Sequence, residues 1–259
     1  MVMNAATMKL AGMRALVRYV DADQAVIDAH FRAMHVIPEE ARGFEAEEVD
    51  VYVEIDGSDG FHDEGQTHLI LRDGGGSVRF DVVQPSRWWP AGMGEQPMYR
   101  VGMKLIVHDE AADEREVAVG LTSVRRDPEL LNAGEATLLV NGKLCVLSSL
   151  IVVDRVQQTR LLPAGGDSLL VVRDHWGDDQ LFDAADRAGI LAIQCVPVDG
   201  QGSRARTMAQ EVERLSHHPS LVGYFVGHLG SLGNRLAERL RELDPTRTVF
   251  RKLPRLEAA

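Results

Sequence analysis

Between residues 173 and 228 the chain carries groups able to do chemistry, each following or closing an apolar run. Arg173-Asp174-His175-Trp176 follows 169–172, Gln194 and Cys195 lie in 190–197, and His228 comes just after 221–226. A guanidinium, a carboxylate, an imidazole and amide groups suit hydrogen-bond recognition of a polar ligand. General acid/base work would need more: a pair of carboxyl groups brought close together, for which Asp174 and Asp199 are the nearest candidates. A metal centre could draw on His175, Cys195 and His228 by residue type, but their spacing fits no metal-ligand motif, so no metal and no other cofactor is expected.

The elements that must hold these groups are short and buried. Residues 221–226 are apolar on both faces apart from Gly223, the pattern of a strand inside a parallel sheet or barrel. Pro219, in Ser216-His217-His218-Pro219-Ser220, ends the helix expected over 207–217, because proline supplies no amide donor and disfavours helical geometry before it. Residues 180–189 read as a helix closed by Gly189, and 234–243 as another. Apolar runs alternating with helices make the second half α/β.

The first half reads differently. Val49, Val51, Val53 and Ile55 alternate with acidic or aromatic residues, the period of a strand with one face on a core. Asp56-Gly57-Ser58-Asp59-Gly60 and Asp73-Gly74-Gly75-Gly76 read as turns around a strand at 67–71. Further strands are expected at 78–83, 99–108 and 116–122. Together they describe an antiparallel sandwich. Residues 13–20 suit a strand, and 23–34 show helical spacing in Val26, Ile27, Phe31 and Met34. Trp88 and Trp89 beside Pro85 and Pro90 invite a reading as a ligand-stacking platform, although large aromatics next to prolines more often staple a sandwich edge.

With 259 residues, 45% hydrophobic and 26% charged, the chain is an ordinary globular one with room for two domains. A net charge of −11 argues against a nucleic-acid partner. Cys145 and Cys195 both sit in apolar runs and read as buried thiols. No signal-peptide pattern opens the chain and no apolar run reaches about 18 residues, so a cytoplasmic protein without a membrane partner is expected.

Several of these segments resemble glycoside hydrolase family 2, the β-galactosidase and β-glucuronidase group. Ser216-His217-His218-Pro219-Ser220 and residues 221–229 are similar to the Asn-His-Pro-Ser-Ile/Val helix end and the Trp-Ser-Leu-Gly-Asn-Glu strand of that family. Gln84-Pro85-Ser86-Arg87-Trp88-Trp89-Pro90 with Gln96-Pro97-Met98-Tyr99-Arg100-Val101, and then residues 119–125, resemble its immunoglobulin-like domain. Asn141-Gly142-Lys143 matches the hairpin that opens its barrel, and Asn-Gly between apolar runs is a hairpin signal by itself. Residues 169–176, 180–189 and 243–249 resemble the second strand, the following helix and the entry to strand five.

The resemblance implies an immunoglobulin-like β-sandwich over 46–126, then an α/β partial (half) TIM barrel over 137–259 with strands one to four and the start of a fifth. Residues 1–45 stay unassigned. A whole barrel takes about 250 residues, so this one is expected to be truncated. Residues 154–167 are too short and too rich in proline and glycine for the usual first helix.

The chemistry implied by the family is missing its parts. Leu229 stands where the family has its general acid/base glutamate, His228 where it has asparagine, and the nucleophile strand has no counterpart, so no catalytic residue is assigned. The expectation is a catalytically degenerate relative that binds carbohydrate or serves assembly. The ligand-binding candidates are Arg173, Asp174, His175, Trp176, Gln194 and His228, at the strand ends where barrels bind ligands. The alternative is a carbohydrate-active hydrolase that uses other carboxylates or is completed by a partner chain. Open edges of a half barrel further imply a homo-oligomer or a partner protein covering them.

Overall fold

The computed structural model describes residues 7–36, 47–71, 73–126, 137–153, 167–198, 205–227 and 230–253. Two antiparallel sheets come first. Strands β1 (Thr7–Val20), β2 (Gln24–Val36) and β5 (Asp73–Val83) form one, in the order β1-β2-β5. Strands β3 (Glu47–Gly57), β4 (His62–Leu71), β6 (Tyr99–Val107) and β7 (Glu110–Val119) form the other, in the order β4-β3-β6-β7. Their inner faces share one core. Ile27, Phe31 and Phe80 from the first sheet meet Val51, Val53, Ile55, Val101 and Met103 from the second.

Two expectations change here. Residues 23–34 are strand rather than helix. The core face of β2 is Ala25, Ile27, Ala29, Phe31 and Ala33, strict alternation in which three alanines hide the period from a reading based on large apolar residues. Residues 7–36 thus supply two of the three strands of one sheet, ahead of the segment the family resemblance covers. Gly74, Gly75 and Gly76 do not form a turn but run inside β5, paired with Ala33, Arg32 and Phe31. A Cβ on Gly75 would stand 2.1 Å from the Phe31 carbonyl oxygen, so the close pairing requires glycine there.

A second unit follows. β8 (Val124–Arg126), β9 (Thr137–Val140) and β10 (Lys143–Val146) make a small sheet, and the β9–β10 hairpin turns at Asn141 (φ 49°) and Gly142 (φ 79°) as the Asn-Gly signal requires. Then β11 (Ser149–Val153), β12 (Ser168–Val172), β13 (Leu191–Cys195), β14 (Leu221–Phe225) and β15 (Thr248–Phe250) form a parallel sheet in sequence order. Helices α1 (Asp179–Ala188), α2 (Ala205–Leu215) and α3 (Gly230–Leu243) link its later strands. The helix ends are the ones the sequence marks. Asp178 caps α1 through the Leu181 amide at 2.8 Å, and Gly189 leaves it in the left-handed region. The first-helix question at 154–167 falls, except for Asp167, outside the described residues.

Trp88 ties the two units together. Its side chain is fully buried, its indole N–H donates to the Asp186 carbonyl at 2.9 Å, and its own carbonyl accepts from the Asn141 side chain at 2.9 Å. Trp89 is nearly as buried, with Arg87 and Lys143 each 5.0 Å from its ring centroid. The pair is a staple between units, not a sugar platform. Pro219 of the helix-ending turn packs at the same junction, where a Cβ on Gly120 would meet its Cγ at 2.5 Å.

Candidate functional site

The carboxyl end of β12 forms a shaped tip. Strand pairing ends with the Arg173 amide donating to the Val153 carbonyl at 2.8 Å, and the next residue, Asp174, takes φ 66°. A non-glycine residue in that region is held there by its surroundings. Two clamps hold it. The His175 imidazole donates from Nδ1 to the Arg173 carbonyl at 2.8 Å, closing the bend on itself. Gln194, fully buried on β13, donates to the His175 carbonyl at 2.8 Å and accepts from the Gly177 amide at 3.0 Å.

The six ligand-binding candidates therefore separate. Arg173 and Asp174 are exposed and form an ion pair at 3.1 Å. His175 and Trp176 are half-buried beside them, Trp176 packing on the core shared by the parallel sheet and its helices. Gln194 turns inward, its amide also bonded to the Cys195 carbonyl at 2.7 Å, so it shapes the tip instead of lining the open side. His228 lies outside the described residues, as do Leu229 and Asp199. Cys195 sits beneath the tip, where burial above all pushes its thiol up to about 12, Arg173 opposing the rise and Asp174 adding less to it. Burial of this kind makes a thiol a poor nucleophile near neutrality.

A second polar cluster escaped the sequence reading. His218 is buried and donates from Nδ1 to Asp186 at 2.6 Å, and the other oxygen of Asp186 accepts the Ser220 amide at 3.0 Å. Asp183 completes a group whose donor atoms lie within 4.8 Å of one another. Both oxygens of Asp186 are already engaged, and Arg247 holds the His218 carbonyl at 2.9 Å, so the group fastens α1 to the turn before β14. Helix aspartate and turn histidine are 32 residues apart, a separation that belongs to no motif.

The chain is similar to known proteins in sequence and in fold. No protein-family model matches the chain. An exo-β-D-glucosaminidase of Streptomyces avermitilis is 29% identical over 178 residues, covering 56% of this chain and 19% of that protein. A β-mannosidase B of Aspergillus oryzae is 27% identical over 181 residues, covering 60% and 21%. The chain thus spans about a fifth of the length of these curated relatives. Among solved structures, the Amycolatopsis orientalis exo-chitosanase superposes with a TM-score of 0.72 at 21% identity, over 96% of this chain and 32% of that one. A glycosyl hydrolase family 2 member from Bacteroides cellulosilyticus gives 0.71 at 17% identity, over 95% and 37%. In sequence and in fold the chain is glycoside hydrolase family 2-like.

Proposed function

We propose that the chain is a non-catalytic carbohydrate-binding protein of the family 2 kind, an immunoglobulin-like sandwich carrying part of a (β/α) barrel, which takes a sugar at the β12 tip. The observation that carries this reading is the preorganised tip. Asp174 is held in the left-handed region by two clamps behind it, presenting the Arg173–Asp174 pair outward with Trp176 alongside. Strain held at a strand end costs stability, and proteins retain it where a ligand needs the shape. An exposed charged pair suits the hydroxyls of a pyranose. The relatives whose names specify glucosaminides and mannosides point to neutral or amino sugars.

Leu229 at the acid/base position supports binding over hydrolysis, because a leucine can neither donate nor accept the proton that cleavage requires. The test is a thermal-shift screen against monosaccharides, β-glycosides and uronic acids, since a ligand of the native state raises the apparent midpoint by mass action. A shift lost in Arg173→Ala supports the reading. Turnover of a 4-nitrophenyl β-glycoside that is lost in Asp174→Asn would instead support the hydrolase. No shift with any sugar would leave assembly through a second copy at the edge strands β11 and β15, read as a dimer mass in light scattering.

A further inference from the structure

The outer face of the first sheet carries a basic groove against α2. Cross-strand register sets it out in rows. Arg14, His30 and Ser77 are partners in one row across β1, β2 and β5, and Gly12, Arg32 and Gly75 are partners in the next. Two glycines leave Arg32 as the only side chain in its row: the space over Gly12 is taken by the Glu213 carboxylate, and Gly75 lines a cavity of about 760 Å³ between the sheet and α2, with Arg206, Gln210 and Glu213 on the helix side. That volume suits a small molecule.

The charge of the groove runs against the rest of the chain. A molecule of net charge −11 here places Arg14, Arg32 and Arg206 around a single carboxylate, Glu213. Much of their hydrogen-bonding capacity is unspent. Each guanidinium has five N–H donors. Arg32 pairs with Glu213 at 2.8 Å and Arg14 reaches the Leu243 carbonyl at the end of α3. Arg206 is exposed and has no hydrogen-bond or ion-pair partner among the described residues. Between them His30 carries a buried Nε2 with no partner. Burial foremost, and then Arg14 and Arg18, hold the His30 imidazole below its ordinary range against the opposing pull of Asp28.

We infer that this groove binds a small oxyanion, a phosphate or a carboxylate, between Arg206 on α2 and the Arg14–His30–Arg32 face of the sheet. Guanidinium groups match both oxyanions in geometry, and concave walls between two packed units strengthen the field at the site. A bound anion would bridge the sandwich and the α/β unit. The site shares no residue with the β12 tip, so it stands or falls independently of sugar binding there.

The experiment is calorimetric titration of the whole chain with inorganic phosphate and, separately, with D-glucuronate, at an ionic strength fixed by sodium chloride. Arg206→Ala removes an exposed side chain without a partner and leaves the fold intact. Ser77→Glu puts a carboxylate into the row of Arg14 and His30 from an exposed position. Binding of either anion, weakened about tenfold by Arg206→Ala and abolished by Ser77→Glu, is the expected result. Phosphate alone would identify a phosphate ester as the ligand class, and glucuronate alone an acidic sugar. Equal affinity in the parent and Arg206→Ala, or no binding of either anion at about 10 mM, overturns the inference.

Discussion

Gln194 donates from its side-chain amide to the His175 carbonyl at 2.8 Å, reaching from the middle strand of the parallel sheet to the tip of its neighbour. The same amide meets the Cys195 carbonyl and, through its oxygen, the Gly177 N–H, so one buried side chain satisfies three backbone groups. A buried glutamine is stable only when its polar atoms are paired in this way. Gln194→Leu keeps the volume and leaves those groups unpaired, and should cost about 2–4 kcal/mol in urea denaturation. Gln194→Glu should cost at least as much, since a carboxylate has no hydrogens to give two carbonyls. Either variant should also lose any sugar-induced thermal shift while Arg173 and Asp174 are still present.

Asp174 offers a test of the strain at the tip. At φ 66° an alanine carries the full left-handed penalty while glycine carries none. Asp174→Ala should therefore be about 1 kcal/mol less stable than Asp174→Gly by chemical denaturation. At an ordinary backbone position glycine is the less stable of the two, so the order of the two variants reports the backbone directly.

Trp88 joins the sandwich, the β9–β10 hairpin and α1. Trp88→Ala should cost about 3–5 kcal/mol, in the range for a large buried aromatic. Trp88→Phe should cost less, mainly through the Asp186 carbonyl it leaves without a donor. Because the lost contacts lie between units, the alanine variant should split a single thermal transition into two, seen as far-ultraviolet dichroism and tryptophan fluorescence that no longer coincide.

Sequence pattern carried the second half well because its signals are local. Asn141-Gly142 needs left-handed backbone at two successive residues, Gly189 needs it at one, and Pro219 removes a donor, so hairpin and helix ends follow from single residues. The first sheet was less legible. In β2 alanines occupy the core face and Val26 and Met34 the outer one, so size and burial disagree and the period is lost. The tip was half legible. Strand ends located Arg173 to Trp176 and Gln194, but nothing local tells an inward glutamine from an outward one, since that depends on the His175 carbonyl, 19 residues away. The basic groove has no sequence signature at all, because its arginines come from β1, β2 and α2 and meet only through register and packing.

His217 predicts a pH dependence with a definite sign. Its ring stacks on His218 with centroids 4.3 Å apart, and its Nδ1 is buried without a hydrogen-bond partner. Burial above all, helped by His218, Arg247 and Arg214, brings its pKa down to about 3 from the ordinary 6.5. The fold thus holds the neutral ring, and between those two values the unfolded chain binds the extra proton. The stability this contributes is complete above pH 6.5 and is lost as pH falls toward about 3. His30, also held low, adds a slope of the same sign, whereas His62, raised by Asp56, adds the opposite one. His217→Phe keeps the stacked ring and removes the titration, so the difference between parent and variant isolates the group. Urea midpoints converted to free energies should show the parent losing up to about 1.4 kcal/mol per pH unit relative to His217→Phe as pH falls from about 6.5 to 5. That window lies above the titration of most carboxylates, and parallel profiles across it would mean that His217 is protonated as readily in the fold as outside it.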